Sequence, residues 1–364
     1  MTAPSSISDP NLEVLDLRHF ASDDLRALLD EESLLWSQLL YWDYRGSADM
    51  ILRYLDAKIL PGYAALENGV LTGYCFFVYE GNKGVIGDLF ASAPGTLKAS
   101  LAEHRLLDHT IATLQQSPGI HRIEAQLLLH PAGAVARPFA DHGFRRHPRL
   151  FMLLSLDGSG PARQTKGARA GNFAGRSEST LWRGAFREFG RGARAKGLNK
   201  IEGVVLPPDI ELRCWSEHDY QTAAALITSA YRGHVDADIN DQYRSVAGSL
   251  RFLNNIIRFP GCGHFDQGSS FIAVDRTTRA AVGLVLCSRV CEDVGHVTQI
   301  CVVPEQRGRG VGEAMLAAAA QALRNRHFRA LTLTVTETNT VAVNIYKHLG
   351  YVVHRVFDAF VWEG

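Results

Sequence analysis

The 364-residue sequence lacks net charge, its 38 Lys and Arg offsetting 38 Asp and Glu. Without an excess of one sign it has no global attraction to nucleic acid or to an anionic membrane, so neither is expected as a partner. It also lacks an apolar run at its start: Met1 to Asn11 is polar, which argues against a signal peptide or transmembrane helix and makes the cytoplasm the expected compartment. Cysteine pairs at metal or redox spacing are missing too. None of Cys75, Cys214, Cys262, Cys287, Cys291 and Cys301 forms a Cys-x-x-Cys pair, and several fall inside apolar strand patterns. Buried free thiols are therefore preferred over disulfides or a metal site. Cys262-Gly263-His264 and Cys287 with Cys291 offer ligand types, yet nothing completes a four-ligand set, so no metal is expected. The length suits two domains.

What the sequence does have is concentrated toward its C-terminal end. Val302-Val303-Pro304-Glu305-Gln306 leads into Arg307-Gly308-Arg309-Gly310-Val311-Gly312 and then an alanine-rich helical stretch, Glu313 to Leu323. Glycines at alternate positions let backbone N–H groups crowd together and face one anion at a helix start. A pyrophosphate cradle is expected there, although such turns also occur as plain connections. Next, Ala330 to Val335 alternates as a strand with Leu331, Leu333 and Val335 on one face. The strand stops by Asn339. From Thr340 the period is helical, with Val341, Ile345 and Leu349 on one stripe, Ala342 and Tyr346 on the next, and Gly350 as the stop. An aromatic strand, Tyr351 to Trp362, follows.

Arg307-x-x-Gly310-x-Gly312 together with Asn339-x-x-Ala342-x-x-x-Tyr346-x-x-x-Gly350-Tyr351 resembles the GNAT acyl-CoA acyltransferase superfamily, over about residues 210 to 364. The resemblance implies acetyl-CoA as co-substrate and direct attack of a primary amine on its thioester. It implies an α/β (α+β) fold, with a mixed, mostly antiparallel sheet, helices on both faces and two central parallel strands that splay. Those strands are Gly295 to Val303 and Arg329 to Val335, with the pantetheine in the gap between them. Main-chain groups near Ile300 and Val302 would bind the pantetheine and polarise the thioester carbonyl. The N–H groups of Arg307, Gly308, Arg309, Gly310, Val311 and Gly312, reinforced by the helix dipole, would hold the pyrophosphate. Asn339 and Ala342 would line the pantetheine channel. Tyr346 matches the tyrosine that serves as general acid toward the leaving thiolate; otherwise it is a core tyrosine. His296, six residues before Val302, is the candidate base, the alternative being a strand-end histidine satisfied by solvent. Gln299 could orient a water but cannot act as a base.

The acceptor is not specified. Asp236, Asp238 and Asp241 lie in the segment between the first strand and the hairpin and would attract a cationic amine, but a polar loop is the preferred explanation, and a small-molecule amine and a protein or peptide amine both stay open. A CoA-binding sensor without catalysis, or a longer acyl or aminoacyl donor, is the alternative function. A monomer or a homodimer is expected.

The rest of the C-terminal region fits. Ile210 to Trp215 reads as a strand, Glu217 to Tyr231 as a helix, Gly233 to Asp241 as a turn-rich stretch, and Val246 to Ile257 as a second helix. Ser270 to Val274 and Ala281 to Ser288 read as a hairpin. Residues 1–157 read as a worn copy of the same unit. A strand at Leu12 to Leu17 is followed by a helix at Ser22 to Trp42 and a hairpin across Asn68-Gly69. Then come a strand at Val85 to Ala91, a helix at Leu97 to Gln115 and a strand at Ile123 to Leu129. Its ending, Ala140-Asp141-His142-Gly143-Phe144, aligns Phe139 with Tyr346 and Ala132 with Asn339. In place of the cradle stands Ala91-Ser92-Ala93-Pro94-Gly95-Thr96. This half is expected to wall the acceptor site and perform no chemistry. Between the two, residues 158–206 form a basic Gly, Ala and Arg-rich linker with a candidate helix from Glu178 to Arg194, leaving 207–364 as the catalytic domain.

Overall fold

A computed structural model describes residues 12–157, 205–259 and 261–364. The candidate helix of the basic linker lies outside the described residues. The N-terminal half runs β1 (Leu12–Asp16), α1 (Ser22–Leu40), α2 (Arg45–Asp56), β2 (Gly62–Glu67), β3 (Val70–Glu80), β4 (Lys83–Ala91), α3 (Leu97–Gln116), β5 (Arg122–Gln126), α4 (Ala136–Asp141) and β6 (Arg145–Ser155). Its first hairpin closes as Asn68-Gly69 dictates. Both residues take positive φ, 52° and 77°, in a two-residue turn that joins Glu67 to Val70. Helix α2 is additional to the expected elements, and its buried Ala48, Ile51, Leu52 and Leu55 carry helical spacing.

The C-terminal half runs β7 (Ile210–Cys214), α5 (Tyr220–Ala230), α6 (Val235–Ile239), α7 (Val246–Arg258), β8 (His264–Phe265), β9 (Phe271–Asp275) and β10 (Ala281–Cys291). It continues with β11 (Val294–Val302), α8 (Val311–Arg324), β12 (Ala330–Thr336), α9 (Thr340–His348) and β13 (Val352–Glu363). The stretch read as turns holds a one-turn helix, α6, started by His234, whose Nδ1 accepts from Asp236 N at 3.1 Å.

Repetition is plainest in the central parallel pairs. β4 and β5 stay in register for four residues, Lys83↔Arg122 to Ile86↔Ala125, and β11 and β12 for four, Val294↔Ala330 to Val297↔Leu333. In each half the antiparallel ladder then slips by one residue, at Gly87 against β3 and at Thr298 against β10. A bulge adds one unpaired residue and bends its strand. The same bulge at the same place bends β4 and β11 away from their parallel partners, and the strands part there. This correspondence sets Asp88 against Gln299 and Val85 against His296.

The two sheets are fused into one of thirteen strands, ordered β1-β2-β3-β4-β5-β13-β6-β12-β11-β10-β9-β7, with β8 on β10. Each half has lent its last strand to the other. β6 pairs with β12 from Arg149↔Thr336 to Ser155↔Ala330, and β13 pairs with β5 from Ala359↔Gln126 to Glu363↔Arg122. An unpaired strand edge is a liability, and the exchange removes one from each half. A buried cluster that includes Trp42, Phe151, Val294 and Phe357 seals the seam.

Ion pairs fasten the α6 region to the N-terminal half. Lys83 Nζ, 3% exposed, meets Asp241 Oδ1 at 2.6 Å, Glu124 Oε2 at 3.1 Å and Glu80 Oε2 at 3.4 Å. Asp241 N donates to Glu124 Oε1 at 3.1 Å, and Arg122 donates to the carbonyl of Asp238. All six cysteines are free thiols. Cys75, Cys287 and Cys301 are buried as expected, whereas Cys214, at the end of β7, is exposed.

Candidate active site

A cavity of about 880 Å³ opens where β11 and β12 part. Its floor is the free edge of β11. The β11–β12 register ends at Val297, so the backbone beyond it has no strand partner on that side. Tyr231 donates its hydroxyl to the Ile300 carbonyl at 3.1 Å and Arg307 Nε donates to the Val302 carbonyl at 3.2 Å. A strand residue turns its N–H and C=O to the same side, so the N–H groups of Ile300 and Val302 face the opening. The carbonyls at these positions already hold side-chain donors, which leaves the N–H groups for a ligand.

At one end stands α8. Gly308 and Gly310 take φ of 72° and 81°, a left-handed backbone that side chains resist. Those two turns aim the start of a 14-residue helix into the cavity, and the first N–H groups of a helix have no partner within it. The arginine side chains of the motif are engaged elsewhere. Arg307 also reaches the carbonyl of Ala230, and Arg309 pairs with Asp209 at 2.7 Å. Backbone, rather than guanidinium, faces the space an anion would fill.

Asn339 caps α9, its Oδ1 accepting from Ala342 N at 3.3 Å, and both residues line the cavity. One turn further, Tyr346 lines it too while only 7% exposed. Burial, and then the Asp236 carboxylate, raise the Tyr346 pKa above the ordinary tyrosine value. Its phenol is protonated throughout the physiological range.

His296 faces the cavity from β11 but is 6% exposed, wedged 5.1 Å from the Trp42 ring, with Nδ1 2.9 Å from Thr332 Oγ1. Burial, with the charge of Arg149, pulls its pKa down to about 3. An imidazole so weakly basic takes an ammonium proton poorly, which weighs against the role expected of it, and it is not a solvent-satisfied strand-end residue either. Of the three loop acids only Asp236 lines the cavity, where Thr336 Oγ1 donates to its Oδ1. Asp238 turns outward toward Arg244 at 3.6 Å, and Asp241 is held by Lys83.

The N-terminal half supplies Trp36, Trp42, Gln126, Leu128 and Arg149 to the same cavity. Nothing local in the sequence marks these residues; strand exchange and the packing of α1 bring them in. Ahead of α3, at the corresponding place in the N-terminal half, Glu31 accepts from Ala93 N at 2.9 Å and from Ser92 Oγ at 2.6 Å, and Thr96 caps the helix. Behind it, buried Glu32 and Asp88 take the hydroxyls of Tyr74 and Tyr44. Phe139, aligned with Tyr346, stacks on Phe360 at 3.9 Å as a core residue. Among the described residues, no group of three or more His, Cys, Asp or Glu is placed to hold a metal, and no helix is long and apolar enough to cross a membrane.

A splayed parallel pair, a glycine-started helix and a buried tyrosine around one cavity define an acyl-CoA acyltransferase fold, and comparison with known proteins agrees. Residues 235–351 match the model of the acetyltransferase (GNAT) family. A mycothiol acetyltransferase of Thermobispora bispora is 41% identical over 58 residues, 16% of this chain and 20% of that protein. The match thus spans about a fifth of that relative's length. A GCN5-related N-acetyltransferase from Sphaerobacter thermophilus superposes with a TM-score of 0.62 at 15% identity, over 98% of this chain and 97% of that one. A tandem GNAT protein from the clavulanic acid biosynthesis pathway superposes with a TM-score of 0.51 at 14% identity, over 97% and 98%. Residues 235–351 thus match the GNAT family, and the chain as a whole has the fold of tandem GNAT proteins.

Proposed function

We propose that the protein is an acetyl-CoA-dependent N-acetyltransferase in which the C-terminal half transfers the acetyl group directly to a primary amine. The observation that carries this reading is the meeting of the α8 N-terminus, the free edge of β11 and Tyr346 around one cavity. The bound thioester supplies an electrophilic carbonyl carbon and a thiolate leaving group. The N–H groups from Arg307 to Gly312 bind the pyrophosphate, and those of Ile300 and Val302 bind the pantetheine and its carbonyl. Asn339 and Ala342 border the pantetheine arm.

The amine nitrogen bonds to the carbonyl carbon, the carbon–sulfur bond breaks, and the sulfur takes the phenolic proton of Tyr346. A high pKa keeps that phenol loaded with its proton. Positive charge on the attacking nitrogen lowers the phenol's pKa and eases transfer at the moment it is needed. Asp236, rather than His296, takes the amine's proton, directly or through water. The N-terminal half binds no CoA, because Glu31 already occupies its anion position. It serves to wall the acceptor site and to hold the α6 region in place.

Free-thiol release from acetyl-CoA across a panel of amines and peptides tests the reading, alongside calorimetry for acetyl-CoA. One site per chain and turnover of at least one amine are expected. Two equal sites refute the assignment to one half, and CoA binding with no acceptor turned over would favour a CoA sensor.

A further inference from the structure

The acceptor end of the cavity is built from both halves, and it pairs a cation with an anion across one side chain. Arg149 lies on β6, the strand lent by the N-terminal half, with Thr336 of β12 as its direct neighbour. The hydroxyl of Thr336 donates to Asp236 Oδ1. A guanidinium and a carboxylate therefore stand on either side of one threonine, both lining the cavity and both within electrical reach of Tyr346.

Arg149 has donors to spare. Its Nη1 donates to Gln126 Oε1 at 2.7 Å, its Nε is buried without a hydrogen-bond partner, and no carboxylate of the described residues pairs with it. A half-buried cation without a counter-ion is costly, and an anion entering the cavity offsets that cost. A planar guanidinium fork suits a carboxylate, which it binds through two parallel hydrogen bonds.

Beside this charge pair lies a rigid apolar wall. Trp36 is stacked on Tyr44 at 4.8 Å and 4°, and its Nε1 donates to Glu32 at 3.0 Å. Trp42 meets it edge-on at 5.8 Å. With the Trp36 ring nitrogen engaged behind, the two indoles offer an ordered apolar surface to the cavity.

Resting on the acetyltransferase reading, we infer that the acceptor is an α-amino acid, or a small aminoacyl compound, with a free carboxylate and an apolar side chain. Its carboxylate binds Arg149, its amine lies between Asp236 and Tyr346, and its side chain packs on Trp36 and Trp42. A cation and an anion flanking Thr336 in one cavity match the carboxylate and the amine that an amino acid carries together.

The test is calorimetric titration of CoA-loaded protein with L-leucine, L-methionine, L-phenylalanine and L-tryptophan, each beside its carboxamide, followed by thiol release with acetyl-CoA. At least one acid is expected to bind about tenfold or more tighter than its amide, since tenfold corresponds to about 1.4 kcal/mol, well within one charge-assisted contact. Arg149→Met should erase that preference while leaving CoA affinity unchanged, and Arg149→Lys should restore part of it. Equal binding of acid and amide by the unaltered protein, or binding of neither, overturns the inference without any variant having to fold. Carboxylate-dependent binding without thiol release leaves the amino-acid site standing and sinks the acetyltransferase reading. Thiol release from amines with no carboxylate preference does the reverse.

Discussion

Replacing Lys83 with Met tests whether the N-terminal half holds the acceptor side of the site. The ammonium is 3% exposed and meets three carboxylates, from Asp241 at 2.6 Å, Glu124 at 3.1 Å and Glu80 at 3.4 Å. Methionine keeps the volume of the stem and leaves those carboxylates uncompensated. Removing one partner of a buried ion pair costs about 3–5 kcal/mol. Asp241 and Glu80 retain some exposure, 30% and 27%, so the lower figure applies here. At roughly 2 cal/mol/K per residue over about 300 residues, 3 kcal/mol lowers Tm by about 5 °C. Burial opposes the lysine's charge, yet Glu124, Asp241 and Glu80 together hold its pKa above the ordinary 10.5. A raised lysine pKa stabilises the fold fully below 10.5, and the benefit is lost as pH climbs through the folded value. The gap between the two proteins should therefore be constant near neutral pH in scanning calorimetry and close only above 10.5. Because Asp241 lies five residues beyond Asp236, the acceptor KM should rise while acetyl-CoA affinity stays put. A Tm within 1 °C of the unaltered protein (a difference of under about 1 kcal/mol), or an equal loss of acetyl-CoA affinity, refutes the reasoning.

Three further outcomes are expected. Tyr346→Phe should lower turnover by about 10²-fold or more, the usual worth of a positioned general acid, with CoA affinity nearly intact by calorimetry; an unchanged rate removes it as the acid. His296→Gln should leave the pH profile of kcat/KM above pH 5 unchanged, because the imidazole, with a pKa of about 3, is already neutral there; loss of an inflection near neutrality would restore it as the base. Gly310→Ala forces a side chain into a left-handed backbone of φ 81°, at about 1–2 kcal/mol, and should weaken CoA binding about tenfold in a direct titration; tight binding in that variant would refute the cradle.

Much of the donor side was legible in the residues themselves. The glycines at 308 and 310, the capping Asn339 and the four-residue spacing of Ala342 and Tyr346 act through local backbone geometry, which a short segment dictates on its own. The two-residue turn at Asn68-Gly69 is of the same kind. Helix α2 carries a readable helical period, whereas the short α6 lies hidden in a polar stretch, because one turn of helix has too few residues to show a period.

The acceptor side was decided elsewhere. The apolar runs in β6 and β13 say that each segment is covered by something; they do not say which strand lies beside it, since pairing is set by packing between distant segments. Only the exchange of those strands carries Arg149 across to Thr336, and only the packing of α1 brings Trp36 and Trp42 to the cavity. Burial likewise lowers the basicity of the His296 ring, and of three similar acids the packing brings only Asp236 to the cavity wall. The sequence alone determined the glycine turn before α8 and the start of α9, because each follows from local backbone geometry. Tertiary structure decided what faces them, because charge balance and solvent exclusion belong to the assembled cavity.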